Sequence, residues 1–181
     1  MNTVSELGTV AAFAAMLCVA ALPASAQDSS QLTARVEQHA VRVGFVLDDA
    51  LSQQLDDLLV QQNGVDVTWT VELHQHVTGW RNHLTRRSTV TVVARRVGAS
   101  DQFTLERHVD GQIDVSSDAA PRSDVHRLAS SFDLGLFDAG TLVVGTQYEV
   151  SIWGVSNHRG AKPIGRPSRL APVLVRTTLT R

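Results

Sequence analysis

From Val65 to Val77 apolar and polar residues alternate. Val65, Val67, Trp69, Val71, Leu73 and Val77 fall on one side, and Asp66, Thr68, Thr70, Glu72, His74 and His76 on the other. Period-two alternation predicts a strand with one buried face and one wet face. Taking Gly79-Trp80 as the two central residues of a type II′ turn folds the chain back into a long hairpin ending at Val97. The pairs that follow are His76 with His83, Glu72 with Arg87, Thr70 with Thr89 and Thr68 with Thr91 on the polar face. Trp69 with Val90 and Val67 with Val92 pair on the apolar face. Opposite charges and Thr–Thr pairs are favourable across a ladder, each by about 0.2–1 kcal/mol. A slip of one residue would bury Thr and Glu and expose the valines, so the pattern specifies the register.

The same reading extends along the chain. Leu32–Leu47 reads as extended, with Val41, Val43 and Phe45 alternating against Arg42 and Gly44. In Asp49–Gln62, Leu51, Leu55, Leu58 and Leu59 form a stripe at helical period. Asp48 or Asp49 is placed to cap its start, and Asn63-Gly64 its end. Gly98-Ala99-Ser100-Asp101 turns the chain into a strand, Gln102–Val109, in which Phe103, Leu105 and Val109 share a face. Asp110-Gly111 makes a two-residue hairpin turn into a short strand, Gln112–Val115. Ser116–Arg122 reads as a loop and Ser123–Ser131 as a short helix capped by Ser123. Strands return around Leu134–Phe137, Gln147–Trp153 and Pro172–Thr180, with a Gly-, Pro- and base-rich loop over Gly154–Ala171. The predicted fold is mainly β, antiparallel and sandwich-like, with one amphipathic helix and one short helix.

The N-terminus adds a destination. Val10–Leu22 is uncharged and apolar and is followed by Pro23 and Ala24-Ser25-Ala26, the pattern of an export signal cleaved after residue 26. The run is short for a span, which needs about 20 apolar residues. Its flank carries no Lys or Arg, so the alternative is an uncleaved anchor, the one case that would attach the protein to a membrane. Residues 27–31 read as a leader and 32–181 as a single domain, placed in the periplasm or outside the cell. The sole cysteine, Cys18, leaves with the signal, so the domain is held by its core without disulfides. The formal charge of −2 over 181 residues gives no electrostatic case for nucleic acid.

Two resemblances accompany these patterns. The order of parts is a signal, a Leu-striped helix, a hairpin with Trp at its turn, "FTLERHVDGQ", a short helix and "LVVGTQYEV". It resembles a family of small exported bacterial proteins known only as domain of unknown function 4390. That resemblance implies export and a β-rich body and carries no catalytic residues. Locally, "LVVGTQYEVSIWGVSNHRG" looks like the approach to strand F of fibronectin-type sandwiches, with Val144 where a Pro is usual. It implies that the Tyr148 hydroxyl bonds back to the upstream backbone while Val150 and Ile152 point inward.

Candidate chemistry concentrates at the hairpin tip. In the expected register His74, His76 and His83 share the polar face, with opposed Cβ atoms about 4.5–5.5 Å apart. Three such imidazoles can hold Zn or Cu with one position open. Against this, Arg81 and Arg86 repel a cation, and Glu72, expected to pair with Arg87, leaves no acid to orient a ring. The ordinary reading, polar residues on a wet face, outweighs the metal. Trp80 at the turn, beside Arg81, Arg86 and Arg87, has the character of an interface anchor suited to an envelope protein or an acidic polymer. No G-x-S-x-G elbow, no thiol in the mature chain and no phosphate-binding Gly-rich loop point to catalysis. The sequence therefore favours an exported, non-catalytic binding or structural module without cofactor, with metal binding through His74, His76 and His83 as the alternative.

Overall fold

The computed structural model describes residues 30–77, 79, 82–156 and 173–176. The expected signal, residues 27–29 of the expected leader and most of the basic loop after Gly154 lie outside them, while Gln31, expected as the leader's last residue, already opens the first strand. Two antiparallel sheets face each other, with two helices along the seam. The smaller holds β1 (Gln31–Glu37), β2 (Ala40–Val46) and β7 (Ser131–Asp138) in the order β1-β2-β7. The larger is formed by β3 (Gly64–Gln75), β4 (His83–Arg96), β5 (Gln102–Val109), β6 (Gln112–Pro121), β8 (Gln147–Ser156) and β9 (Val173–Arg176). Their order is β6-β5-β4-β3-β8-β9. The mainly β, sandwich-like class expected from the alternation is the class observed.

Each sheet buries one face. Val41, Val43 and Phe45 of β2 oppose Val65, Val67, Val71 and Leu73 of β3, with Val90, Val92, Val150 and Ile152 beside them, all buried. Each side chain of this size contributes about 1.5–3 kcal/mol when taken out of water. Trp69 joins the layers. Its ring lies 4.7 Å from that of Phe45, and its Nε1–H donates to the Ala129 carbonyl at 2.8 Å. It also lies over Gly154 of β8, its register partner, where any Cβ would collide with the ring.

The helix α1 (Asp49–Gln61) is capped by Asp48, whose Oδ1 accepts from the Leu51 amide at 2.8 Å and whose Oδ2 accepts from the Ser30 hydroxyl. Its buried stripe is Leu55 and Leu59. The far end is not closed by a left-handed glycine, as Asn63-Gly64 suggested. Gln62 is already extended, Gly64 enters β3 against the Ala94 carbonyl, and Arg96 of β4 reaches across to donate to the Leu59 carbonyl at 2.9 Å. A guanidinium from a neighbouring strand thus supplies the positive charge that the last helical turn lacks.

The Tyr148 hydroxyl accepts from the Val143 amide at 3.0 Å, and Tyr148, Val150 and Ile152 are buried, as the local resemblance implied. The Asp110-Gly111 turn also forms, with φ of 51° and 83°. Asp110 does more than turn: its carboxylate accepts from Ser88 Oγ at 2.9 Å and from the Thr89 amide at 2.7 Å, tying the β5–β6 turn to β4.

Three boundaries differ from the sequence reading. Leu32–Leu47 is not one extended run but the hairpin β1–β2, turning at Gln38 with φ of 49°. No Gly or Asn marks it; the turn is fixed by pairing on both sides and by the Ala139 amide bonding to the His39 carbonyl. Ser116–Arg122 is not a loop, because β6 continues to Pro121 as an edge strand whose polar residues need no core partner. The second helix, α2 (Arg122–Ser130), starts behind Pro121 and is not capped by Ser123.

Two substitutions test the joints of this sandwich. Tyr148→Phe removes one hydrogen bond and is expected to cost about 1 kcal/mol. Gly154→Ala, which must push the Trp69 ring aside, is expected to cost about 1–3 kcal/mol. Urea unfolding of both variants checks the magnitudes; a Gly154→Ala protein as stable as the parent would mean the indole does not occupy that space.

Candidate functional site

The hairpin follows the expected register for most of its length. Val67 pairs with Val92, Thr68 with Thr91, Trp69 with Val90, Thr70 with Thr89 and Glu72 with Arg87. The Thr68 and Thr91 hydroxyls bond at 3.1 Å, and Arg87 donates to Glu72 Oε1 at 3.0 Å through Nε and 2.6 Å through Nη2.

Near the tip the register breaks. Leu73 still faces Arg86, but His74 faces Leu84 and Gln75 faces His83, leaving Thr85 as an extra residue in β4. A bulge of this kind re-aims the side chains beyond it. The expected pairing of His76 with His83 is therefore corrected. His83 falls opposite Gln75, on the side of the ribbon that carries Leu73, while His74 stands on the side of Glu72. The signal for this bulge is absent from the sequence, because Leu84-Thr85-Arg86 alternates acceptably in either register. Gly79 has φ of 80°, consistent with a glycine-led turn, and Thr78, Trp80 and Arg81 lie outside the described residues.

On the Glu72 side the tip is a chain of polar contacts that the sequence only partly revealed. Glu72 Oε2 meets His74 Nε2 at 3.2 Å, so this carboxylate serves both Arg87 and an imidazole. Glu149 of β8 stands opposite His74 in register. Its Oε2 accepts from Asn82 Nδ2 at 2.7 Å, and Asn82 Oδ1 lies 3.1 Å from His76 Nδ1. Asn82 and Glu149 had no sequence signal, since their proximity depends on β8 pairing with β3. Among the described residues no three His, Cys, Asp or Glu side chains converge to hold a metal ion. On the opposite side Arg86 is exposed and donates to the Thr85 carbonyl at 3.1 Å, with His83 exposed beside it.

Electrostatics follow from these contacts. Burial by itself would raise the Glu72 carboxyl, but the hydrogen bonds and charges of Arg87 and His74 outweigh it and hold the group below the usual carboxylate range. On the outer face of the small sheet, the Arg35 hydrogen bond lowers Asp133 in the same way. There Arg42 also reaches Asp133, at 3.2 Å. Next to this network, Glu37, Gln38, His39, Ala40, Arg42 and Gly135 line a shallow hollow of about 450 Å³. Its acid and base partner each other, and no nucleophile lines it.

One pair has the outline of a catalytic dyad. Ser52 Oγ lies 2.8 Å from His126 Nε2, joining α1 to α2. The same nitrogen is 3.2 Å from the Ser52 carbonyl oxygen. Both contacts come from one residue of α1 and hold it against α2. This contact is a clasp between helices.

The lowered Glu72 carboxyl has a pH consequence. A depressed carboxyl contributes stability that is present above its unfolded value, about 4.3, and is lost as pH falls through the folded value. Glu72→Gln is therefore expected to cost about 1 kcal/mol at neutral pH and progressively less in acid. Melting temperatures from neutral pH to pH 3 check this; a penalty that stays constant or grows in acid would contradict the Arg87 and His74 pairing.

Compared with protein-family models, with curated proteins and with solved structures, the chain finds no match, so its function is argued from its own geometry.

Proposed function

We propose that this protein is an exported, non-catalytic binding or structural module of the cell envelope, and that it engages an acidic polymer or an acidic envelope protein through the distal end of the β3–β4 hairpin. The observation that carries this reading is the exposed Arg86, which faces Leu73 on the side of the ribbon away from Glu72. Charge is sorted by the alternation of the ladder: Glu72 and Glu149 are occupied on one side, while Arg86 projects on the other with only a backbone carbonyl as partner among the described residues. An exposed guanidinium without a carboxylate retains its full capacity for bidentate pairing with an anion. The sequence places Trp80 and Arg81 at the same end, and an aromatic beside arginine is the composition of an interface centre. Export rests on the apolar segment ending in Ala24-Ser25-Ala26. Among the described residues no helix is long and apolar enough to cross a membrane.

Retention of the purified protein on immobilised polyglutamate, eluted with salt, tests the reading. The parent is expected to bind and to elute earlier as Arg86→Ala, with Trp80→Ala adding to the loss. Arg35→Ala, on the other sheet, is expected to elute with the parent. A parent that flows through, or an Arg86→Ala protein that elutes unchanged, would contradict the proposal.

A further inference from the structure

The distal end of the hairpin has an apolar neighbour. Val143 and Val144 are 57% and 55% exposed, side by side on the turn that leads into β8. The turn is held at both ends. The Thr146 amide donates to the Val143 carbonyl at 3.2 Å, and the Val143 amide donates to the Tyr148 hydroxyl at 3.0 Å. Gly145, the third of its four residues, has φ of 77°, which is type II geometry and sets Val144 at an outer corner. A single exposed valine is ordinary on a protein surface. Two adjacent ones on a backbone fixed in this way cannot turn inward.

The two ladders of β3 place these valines on the side of Arg86. Tyr148 pairs with Gln75 and Gln75 with His83; in the next row Val150 pairs with Leu73 and Leu73 with Arg86. Opposed residues share a face. Tyr148, Gln75, His83 and Arg86 therefore stand on one side of the larger sheet, and Val143, bonded to the Tyr148 hydroxyl, lies on that side too. From β8 to β4 is two strand spacings, about 10 Å, which an extended peptide crosses in about three residues. The acids bordering this stretch are engaged. Asp110 holds Ser88 Oγ at 2.9 Å and the Thr89 amide at 2.7 Å, and Asp138 Oδ1 holds the Gly140 amide at 2.8 Å. One short segment can thus reach a guanidinium and an apolar corner together, with the half-buried Gln75 amide between them. Arg86 calls for a carboxylate, and the valines call for an aliphatic side chain. A hydrophilic polyanion supplies only the first; a polypeptide supplies both.

We infer that the partner at the hairpin end is an acidic polypeptide segment, extended across this side of the sheet, with a carboxylate on Arg86 and a neighbouring aliphatic side chain on Val143 and Val144. This rests on the binding role proposed for the Arg86 side and narrows its partner to a protein.

Retention of the full chain on an immobilised random glutamate–leucine copolymer, compared with polyglutamate at equal glutamate content, tests it. The parent is expected to need about twofold more salt to leave the copolymer, because salt screens the arginine contact and not the apolar one. Val143→Ser combined with Val144→Ser is expected to abolish that excess and to leave elution from polyglutamate unchanged. Val60→Ser, equally exposed at 55% on α1 beside the opposite end of β4, is expected to change neither. Arg86→Ala is expected to lower retention on both. Should the double variant not fold, Val144→Ser alone is read in its place. The inference is overturned if the parent elutes alike from the two polymers, if a folded valine variant keeps the excess, or if Val60→Ser also loses it. Equal elution that falls in Arg86→Ala would leave the hairpin reading standing with a hydrophilic polyanion as partner, whereas a parent that flows through both columns would remove the two readings together.

Discussion

The Trp69 indole is the joint on which this sandwich depends. It projects from a central strand of the larger sheet, meets Phe45 of the smaller one, bonds through Nε1 to the end of α2 and lies over the backbone of β8 at Gly154. A buried indole must both fill space and satisfy its N–H. Meeting both needs at one point fixes the distance between sheets, the position of α2 and the approach of β8. It also fixes which side of β3 is the inside. That choice decides which faces of the sheet are exposed.

Because β3 is central, its alternation is imposed on β4 and β8 through two ladders. The solvent face therefore carries residues from three strands in a defined order, and their charges have neighbours close enough to neutralise them. The pattern holds until Thr85. Beyond this residue one extra residue in β4 changes sides for His83 and Leu84, at the cost of leaving Leu84 exposed. Tight packing and register go together: the ladder is strict where a slip would bury Glu72 and irregular where little is at stake.

This explains what could be read from the sequence and what could not. The β3–β4 pairs from Val67 to Glu72, the Asp110-Gly111 turn, the leucine stripe of α1 and the Tyr148 corner are all local patterns with a single packing solution. The β1–β2 turn was hidden because Gln38 adopts a left-handed conformation without any of the residues that favour it. The length of β6 was hidden because an exposed edge strand need not alternate. At the site, the Glu72–Arg87 pair was legible from one ladder, whereas Asn82 and Glu149 were brought together by a strand distant in sequence. The histidines deceived most: their spacing suits a shared face, but the bulge that separates His83 from His74 leaves no mark in residue type.

The break in the hairpin ladder decides the tip, because it turns His83 away from the Glu72 side and sets it on the side of Arg86. Cross-strand nuclear Overhauser contacts between backbone protons of β3 and β4 read it directly. The account predicts contacts of Gln75 with His83 and of His74 with Leu84, alongside an unbroken ladder from Val67 to Leu73. Contacts of His76 with His83 and of His74 with Thr85 would show a continuous register, put the three imidazoles on one face and contradict it.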